Sequence, residues 1–512
     1  MQARSFLTLF MLQAIAAGVV GNLSAQTPPA PKPPAPAPEP EKTSTGIEIG
    51  KQTTWIEGPL RNGEVDYLAA LNESLAKGVT VENNAAVPFW LAMGPGQVES
   101  MEVDVAAFYR ALGAPQPPAD GPYWQLRTGA GAERDPYDDW ELKPWARDEH
   151  PQLAKWLDDI QAPLDEVVRG LNRTHWHVPL LPSIDGAPEL LIGMKLPSVS
   201  MPRDVSRALV ARAMLRAKQE DYEGAWRDIR ACHRLGRHVG KGAFMIDMLV
   251  GIAIDGQACM ADVQLSQLPL PASLRATILR DLAGLPDLPR TVDVLNRGER
   301  MMFLDAVTGL AAGRKSDDLF GENAVVQRIL SSTLDWNETL KVGNEYYDKI
   351  VVAMSRPTHR ERLEANVELE KAMKELAVSA RPTPLGVAAI LLSGSAPKRL
   401  GQQIGKILVS VLLPASGAAR DAEQRARQGV ELATLAYRLD EHRQLHGSYP
   451  ARLSDLRGAV ANDLFSDEPL KYERTAQGFL LYSVGRNLRD DEGAGPWTGA
   501  NSIEQDDIAV KR

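Results

Sequence analysis

Between Pro202 and Leu282 apolar side chains return every three or four positions, as at Leu209, Ala213, Ala217, Ala225, Ile229 and Leu235. That period predicts amphipathic helices. The first ends near Lys218, a turn follows at Glu220-Asp221, and a second helix begins at Tyr222. The pair reads as one tetratricopeptide-type hairpin. Three in-register copies are missing, and one such unit cannot bury both its faces. The hairpin therefore belongs to a larger α domain, a bundle or a solenoid-like stack. A Leu-Pro rhythm follows (Leu268-Pro269, Leu270-Pro271, Leu285-Pro286, Leu288-Pro289), where proline starts or stops helices. Helices are predicted again over Val292–Ala312, Gly321–Leu334 and Asn344–Leu376. Two apolar runs, Leu385–Leu392 and Ile404–Leu413, are too short to span a bilayer and read as core helix.

The pattern upstream is different. Residues 53–200 carry short helical stretches, Glu64–Lys77, Val103–Leu112 and Pro151–Asn172, between Pro/Gly-rich loops such as Ala114–Gly121. Trp55, Trp90, Trp124, Trp140, Trp145, Trp156 and Trp176 all fall here. Such a cluster is either a carbohydrate or peptide platform or the filling of an irregular core. Large aromatics dominate core burial, so filling is the expectation.

Downstream the period changes. Ala419–Gly447 is an amphipathic helix with Gly447 as its stop. Leu470–Glu473 and Phe479–Val484 read as paired strands about a turn at Thr475–Gly478, and Asp506–Val510 as a closing strand. The fold class is therefore mainly α, helical hairpins or a bundle, with a small C-terminal α+β module. The domain reading is 1–25 signal, 26–52 linker, 53–200 Trp/Pro-rich and mainly helical, 201–415 helical, and 416–512 module.

The first two segments suggest export. Arg4, the apolar run Phe6–Val20 and the small-residue site Leu23-Ser24-Ala25 predict a signal segment cleaved before Gln26. Left uncleaved, the same run is a short tether and the sequence's one predicted membrane contact. Residues 27–41, TPPAPKPPAPAPEPE, favour an extended polyproline spacer. The expected location is periplasmic or extracellular.

Composition changes this picture little. With 44% hydrophobic and 24% charged residues the chain is ordinary globular material. A net charge of −9 argues against nucleic acid, whose phosphates need a basic surface. Cys232 and Cys259 lie in apolar helical patterns and are expected as buried free thiols, although an oxidising compartment permits a disulfide.

Candidate chemistry is sparse. Gly401-Gln-Gln-Ile-Gly405-Lys406 lacks the spacing, the Ser/Thr and the strand of a phosphate loop. His175 and His177 would share a face of a strand, and His442 and His446 a face of a helix. Neither pair has the third ligand that zinc needs. Asp138-Asp139 and Asp158-Asp159 are adjacent pairs and do not face each other on a helix.

One end of the chain looks familiar. HGSYP after a long helix, then LFSDEPLKY, GFLLYSVGRNLRDDEG and a terminal DDI, resembles the major pseudopilins of type II secretion over residues 405–512. The resemblance implies a small α+β head and a calcium site in the loop after the second strand. Carried over by position, that site comprises Asn487 (where the family usually has Asp), Asp490, Asp491, Asp506 and Asp507. Carboxylates and carbonyls are the hard oxygen donors calcium requires, although Arg486 and Arg489 in the same loop work against a cation. The family's N-terminal Glu is missing from RSFLTLF, and the stem-like helix lies some 400 residues into the chain, so a polymerising pilus subunit is not expected.

The functional expectation is an exported, non-enzymatic scaffold or binding protein with a protein or peptide partner. The alternatives are an exported hydrolase with its site in residues 53–200, or a secretion or pilus-associated component.

Overall fold

The computed structural model describes residues 44–126, 142–184, 190–194, 196, 199–314, 334–379, 396–412, 416–495 and 505–512. The signal segment, the proline spacer at 27–41, Asp138-Asp139, Trp140, the run Leu385–Leu392 and all but the last residue of Gly321–Leu334 lie outside them. The described residues are mainly helical, with a small antiparallel sheet near the C-terminus.

The chain first makes a hairpin. β1 (Leu60–Arg61) pairs with β2 (Glu64–Val65) across Asn62 and Gly63, whose φ values of 55° and 80° suit a two-residue turn. The helix expected from Glu64 therefore starts later, as α1 (Tyr67–Leu75), where the Asp66 carboxylate accepts from Ala69 N–H at 3.0 Å. Next come α2 (Ala86–Met93), α3 (Pro95–Glu99) and α4 (Val105–Leu112). The expected helix Pro151–Asn172 is two, α5 (Pro151–Asp159) and α6 (Gln161–Gly170). Pro163 has no N–H to continue the ladder, so the chain restarts at Ile160.

The predicted hairpin is α7 (Met201–Lys218) and α8 (Tyr222–Val239), with Asp221 capping Gly224 N–H at 3.0 Å. α9 (Met245–Ser266) packs back on α8. A Cβ on Gly236 would lie 2.6 Å from Gly251 O and 2.8 Å from Asp255 N, so glycine alone permits this approach. α10 (Ala272–Ala283) follows, and α11 (Thr291–Val294) passes through a π-helical turn, Leu295–Glu299, into α12 (Arg300–Ala311).

The helix expected at Asn344–Leu376 is also two: α13 (Trp336–Met354) and α14 (His359–Ser379). Pro357 disfavours helical backbone at Arg356 and donates no hydrogen bond. α15 (Ala396–Leu412) carries Gly401 and Gly405 one turn apart. A Cβ on Gly405 would meet Thr339 O at 3.0 Å, so these glycines let α15 lie on α13. α16 (Ser416–His446) leads into β3 (Lys471–Arg474), β4 (Phe479–Ser483) and β5 (Ile508–Lys511), an antiparallel sheet in that order.

Three cores result. The first runs from Ala85 to Leu282, on both sides of residue 200, and adds Tyr437 from α16. Trp90, Trp124, Trp145 and Trp176 are buried in it, and Trp156 packs edge-on against Trp124, so these rings fill the core. The second joins α1 with α11–α13 and α15. In the third, Leu432, Leu435 and Leu439 of α16 meet Leu481, Ile508 and Val510 of the sheet. Charge also fastens the C-terminal module to the body. Asp440, 1% exposed, gathers Arg275 (3.6 Å), Arg443 (2.9 Å) and Arg512 (2.5 Å). Among the described residues no helix is long and apolar enough to cross a membrane.

Candidate functional site

The β4–β5 pairing sets Ser483 opposite Ile508, so the loop leaving β4 runs beside residues 505–507. Asp463 anchors its start. This buried carboxylate accepts from Ser483 Oγ (2.8 Å), Phe465 N–H (2.9 Å) and Val484 N–H (2.9 Å). Gly485 takes φ 64°, and a Cβ there would lie 2.7 Å from Asp506 Oδ1. Leu488 (φ 58°), Glu492 (57°) and Gly493 (78°) are also left-handed, which coils the loop tightly.

The coil gathers four of the five residues singled out in the sequence. Asp491, Asp506 and Asp507 each present an oxygen within 4.8 Å of the other two. Asn487 Nδ2 donates to Asp491 Oδ2 at 2.9 Å. Asp506 accepts from Arg486 N–H at 3.1 Å and faces Asn487 N–H at 3.4 Å. Asp490 goes elsewhere: it accepts from Tyr482 OH at 2.8 Å and pairs with Lys471 at 3.3 Å. The Arg486 guanidinium turns away to Asp421, at 3.3 Å.

Asp507 is the centre of the group. It is fully buried, and its Oδ2 accepts from Asp491 N–H (3.1 Å) and Gly493 N–H (2.9 Å). Its Oδ1 is buried with no hydrogen-bond partner. Burial pushes this carboxyl up to about 6, and the neighbouring Asp491 and Asp490 charges add to the effect. A buried acceptor without a donor is costly, and a cation among the three carboxylates would remove that cost.

A second cluster lies in the first core. His233 on α8 sits between Asp255 and Asp262 on α9, with Nδ1 and Nε2 each 2.8 Å from a carboxylate oxygen, and all three are buried. Arg237 Nε reaches Asp255 at 3.2 Å, and Tyr437 OH donates to Asp262 at 3.1 Å. Burial pulls the imidazole down, but the two carboxylates outweigh it and raise it to about 9. Cys259 is close enough to complete a three-ligand group with His233 and Asp255. Both ring nitrogens are already engaged, however, and burial pushes the thiol up and keeps it protonated. The arrangement carries its own countercharge, and Asp255 Oδ2 is its one buried oxygen that lacks a hydrogen-bond partner. No motif marks it. The one sequence signal is that Asp255 and Asp262 stand seven residues apart, and so on one face of a largely apolar helix.

The remaining candidates separate. His175 makes a single bridge to Asn84 rather than part of a strand, and neither it nor His177 joins a three-ligand group among the described residues. The His442 and His446 rings lie 4.4 Å apart and tilted by 43°, with His442 against Ser448 O. Asp158 pairs with Arg147, and Asp159 with Lys155. Both cysteines are free and buried. No family model, curated protein or solved structure matches this chain.

Proposed function

We propose that the protein is an exported, non-enzymatic scaffold or binding protein with a protein or peptide partner, capped by a pseudopilin-like module whose closing loop takes calcium. The observation that carries the calcium reading is the unpartnered, buried Oδ1 of Asp507 beside Asp491 and Asp506. Calcium accepts six to eight oxygens with loose geometry, and a loop closed by a strand can add backbone carbonyls to the three carboxylates. Bound there, the ion would tie the β4 loop to the start of β5 and stiffen the end of the chain.

The scaffold reading is supported by how the acids are used. Asp158, Asp159, Asp255, Asp262 and Asp440 are each engaged by a partner of the chain's own. The apolar face of α16 is likewise covered by α9 and the sheet, which favours a module serving its own chain over a pilus stem.

Thermal unfolding of the whole chain in EDTA and in millimolar calcium tests the metal. A rise of about 2–5 °C with calcium is expected, by the mass-action stabilisation of a ligand that binds only the folded state. Asp507→Asn should abolish it. An unchanged melting temperature in both proteins would reject the calcium site.

A further inference from the structure

The chain carries a net charge of −9, yet one cleft runs against it. Where α14, α16 and the α13–α14 link meet, a cavity of roughly 510 Å³ is lined by Arg290, Arg356, Arg362, Arg420 and Arg427, with Glu423 as its one acid. That carboxylate is already engaged. It accepts from Thr291 N–H and Oγ1, both at 2.8 Å, and pairs with Arg427 at 2.9 Å. Asp421, just behind, is shared by Arg420 (2.8 Å) and Arg486 (3.3 Å).

Arg290 pairs with Asp293 at 3.9 Å and Arg427 with Glu423, but the other three cations are under-used. Arg420 is 5% exposed, and its Nε and Nη1 are buried with no acceptor. Arg356 is exposed and has no side-chain partner among the described residues. Arg362 spends Nη1 on the carbonyls of Arg356 and Pro357, at 2.9 and 2.8 Å. Burial, and then the Arg420 charge beside it, pull the Arg362 guanidinium down, the direction expected where positive charge is uncompensated. A buried guanidinium with two idle donors is costly to keep unless something completes it.

We infer that this cleft binds a small molecule bearing a phosphate group. A lone carboxylate would neutralise one guanidinium of the several present. A phosphate carries a charge of about −1.5 to −2 and three acceptor oxygens, which suits a cleft lined by several arginine forks. The volume fits a small ligand in a preformed cleft. The site lies where the helical body meets the C-terminal module, so an occupant would bridge α14 of one to α16 of the other.

Isothermal titration of the full chain with pyrophosphate, in EDTA, tests this independently of the calcium loop. One site per chain is expected, weakening as salt is raised. Arg356→Gln and Arg427→Gln each remove an outer cation and should weaken binding about tenfold; Arg356→Gln, which breaks no ion pair among the described residues, should leave the melting temperature unchanged, and a tenfold loss is one good charge-assisted contact. Saturable binding that both variants weaken supports the site. No heat with pyrophosphate or inorganic phosphate overturns it. So does binding that neither substitution alters, and so does citrate binding tighter than pyrophosphate, which would make it a polycarboxylate site.

Discussion

Asp262 and Asp507 are both at zero exposure, yet the chain treats them differently. Around Asp262 it supplies everything a buried carboxylate needs. His233 lies at 2.8 Å, Tyr437 OH at 3.1 Å, and the neighbouring Asp255 is shared with Arg237. Around Asp507 it supplies two N–H donors for one oxygen and none for the other, and gathers two more carboxylates instead of a cation. The first arrangement neutralises itself and holds α8, α9 and α16 together. The second leaves one buried carboxylate oxygen without a donor, the feature on which the calcium proposal rests. The contrast is one of countercharge: His233 and Arg237 supply it to Asp255 and Asp262, and no cationic side chain supplies it to Asp507 among the described residues.

The largest test of that contrast is His233→Gln. Removing one partner of a buried ion pair leaves uncompensated charge and costs about 3–5 kcal/mol. Urea unfolding at neutral pH should show a loss of that size, and a loss well under 1 kcal/mol would break the comparison. pH gives the next largest effect. The imidazole is raised to about 9 in the folded chain, above the ordinary value of 6.5. Its contribution is therefore fully present below about pH 6.5 and is lost as pH rises through about 9. The difference should be on the order of 3 kcal/mol for a shift of this size. It is read as the pH dependence of wild type minus that of His233→Gln, which should fall over that window. A difference curve that stays level would mean the ring is neutral in the core.

How far these clusters were legible follows from what joins them. The loop acids were singled out through the resemblance to pseudopilins, and they meet because antiparallel pairing of β4 with β5 brings one short loop and one strand start together. Asp490 was not separable from Asp491 in the sequence, because which of two neighbours turns inward depends on left-handed residues such as Leu488 and Glu492. The helix α7, the turn and α8 were read closely because apolar spacing and the cap at Asp221 agree. Periodicity overran the breaks near Pro163 and Pro357, where helices resume within a few residues on either side. The His233 network and the arginine cleft were not legible. The first depends on the approach of α8 to α9 at Gly236 and Gly251. The second draws on separate segments, near residues 290, 356–362 and 420–427, each of which alone looks like a solvated charged stretch.

The smallest predicted effect tests the contrast from the other side. Asp507→Asn keeps an oxygen that can accept from Asp491 N–H and Gly493 N–H, and it puts an amide N–H₂ where Oδ1 now has no partner. It also removes one of three crowded negative charges. In EDTA this variant should be more stable than wild type by about 1 kcal/mol, the worth of one hydrogen bond made where none existed. In calcium the order should reverse, because only the wild-type loop gains from the ion. Chemical denaturation of both proteins under the two conditions gives four numbers, and the sign of their double difference is the readout. If Asp507→Asn is destabilising in EDTA as well, Asp507 is structural in the same sense as Asp262, and the distinction between the two clusters disappears.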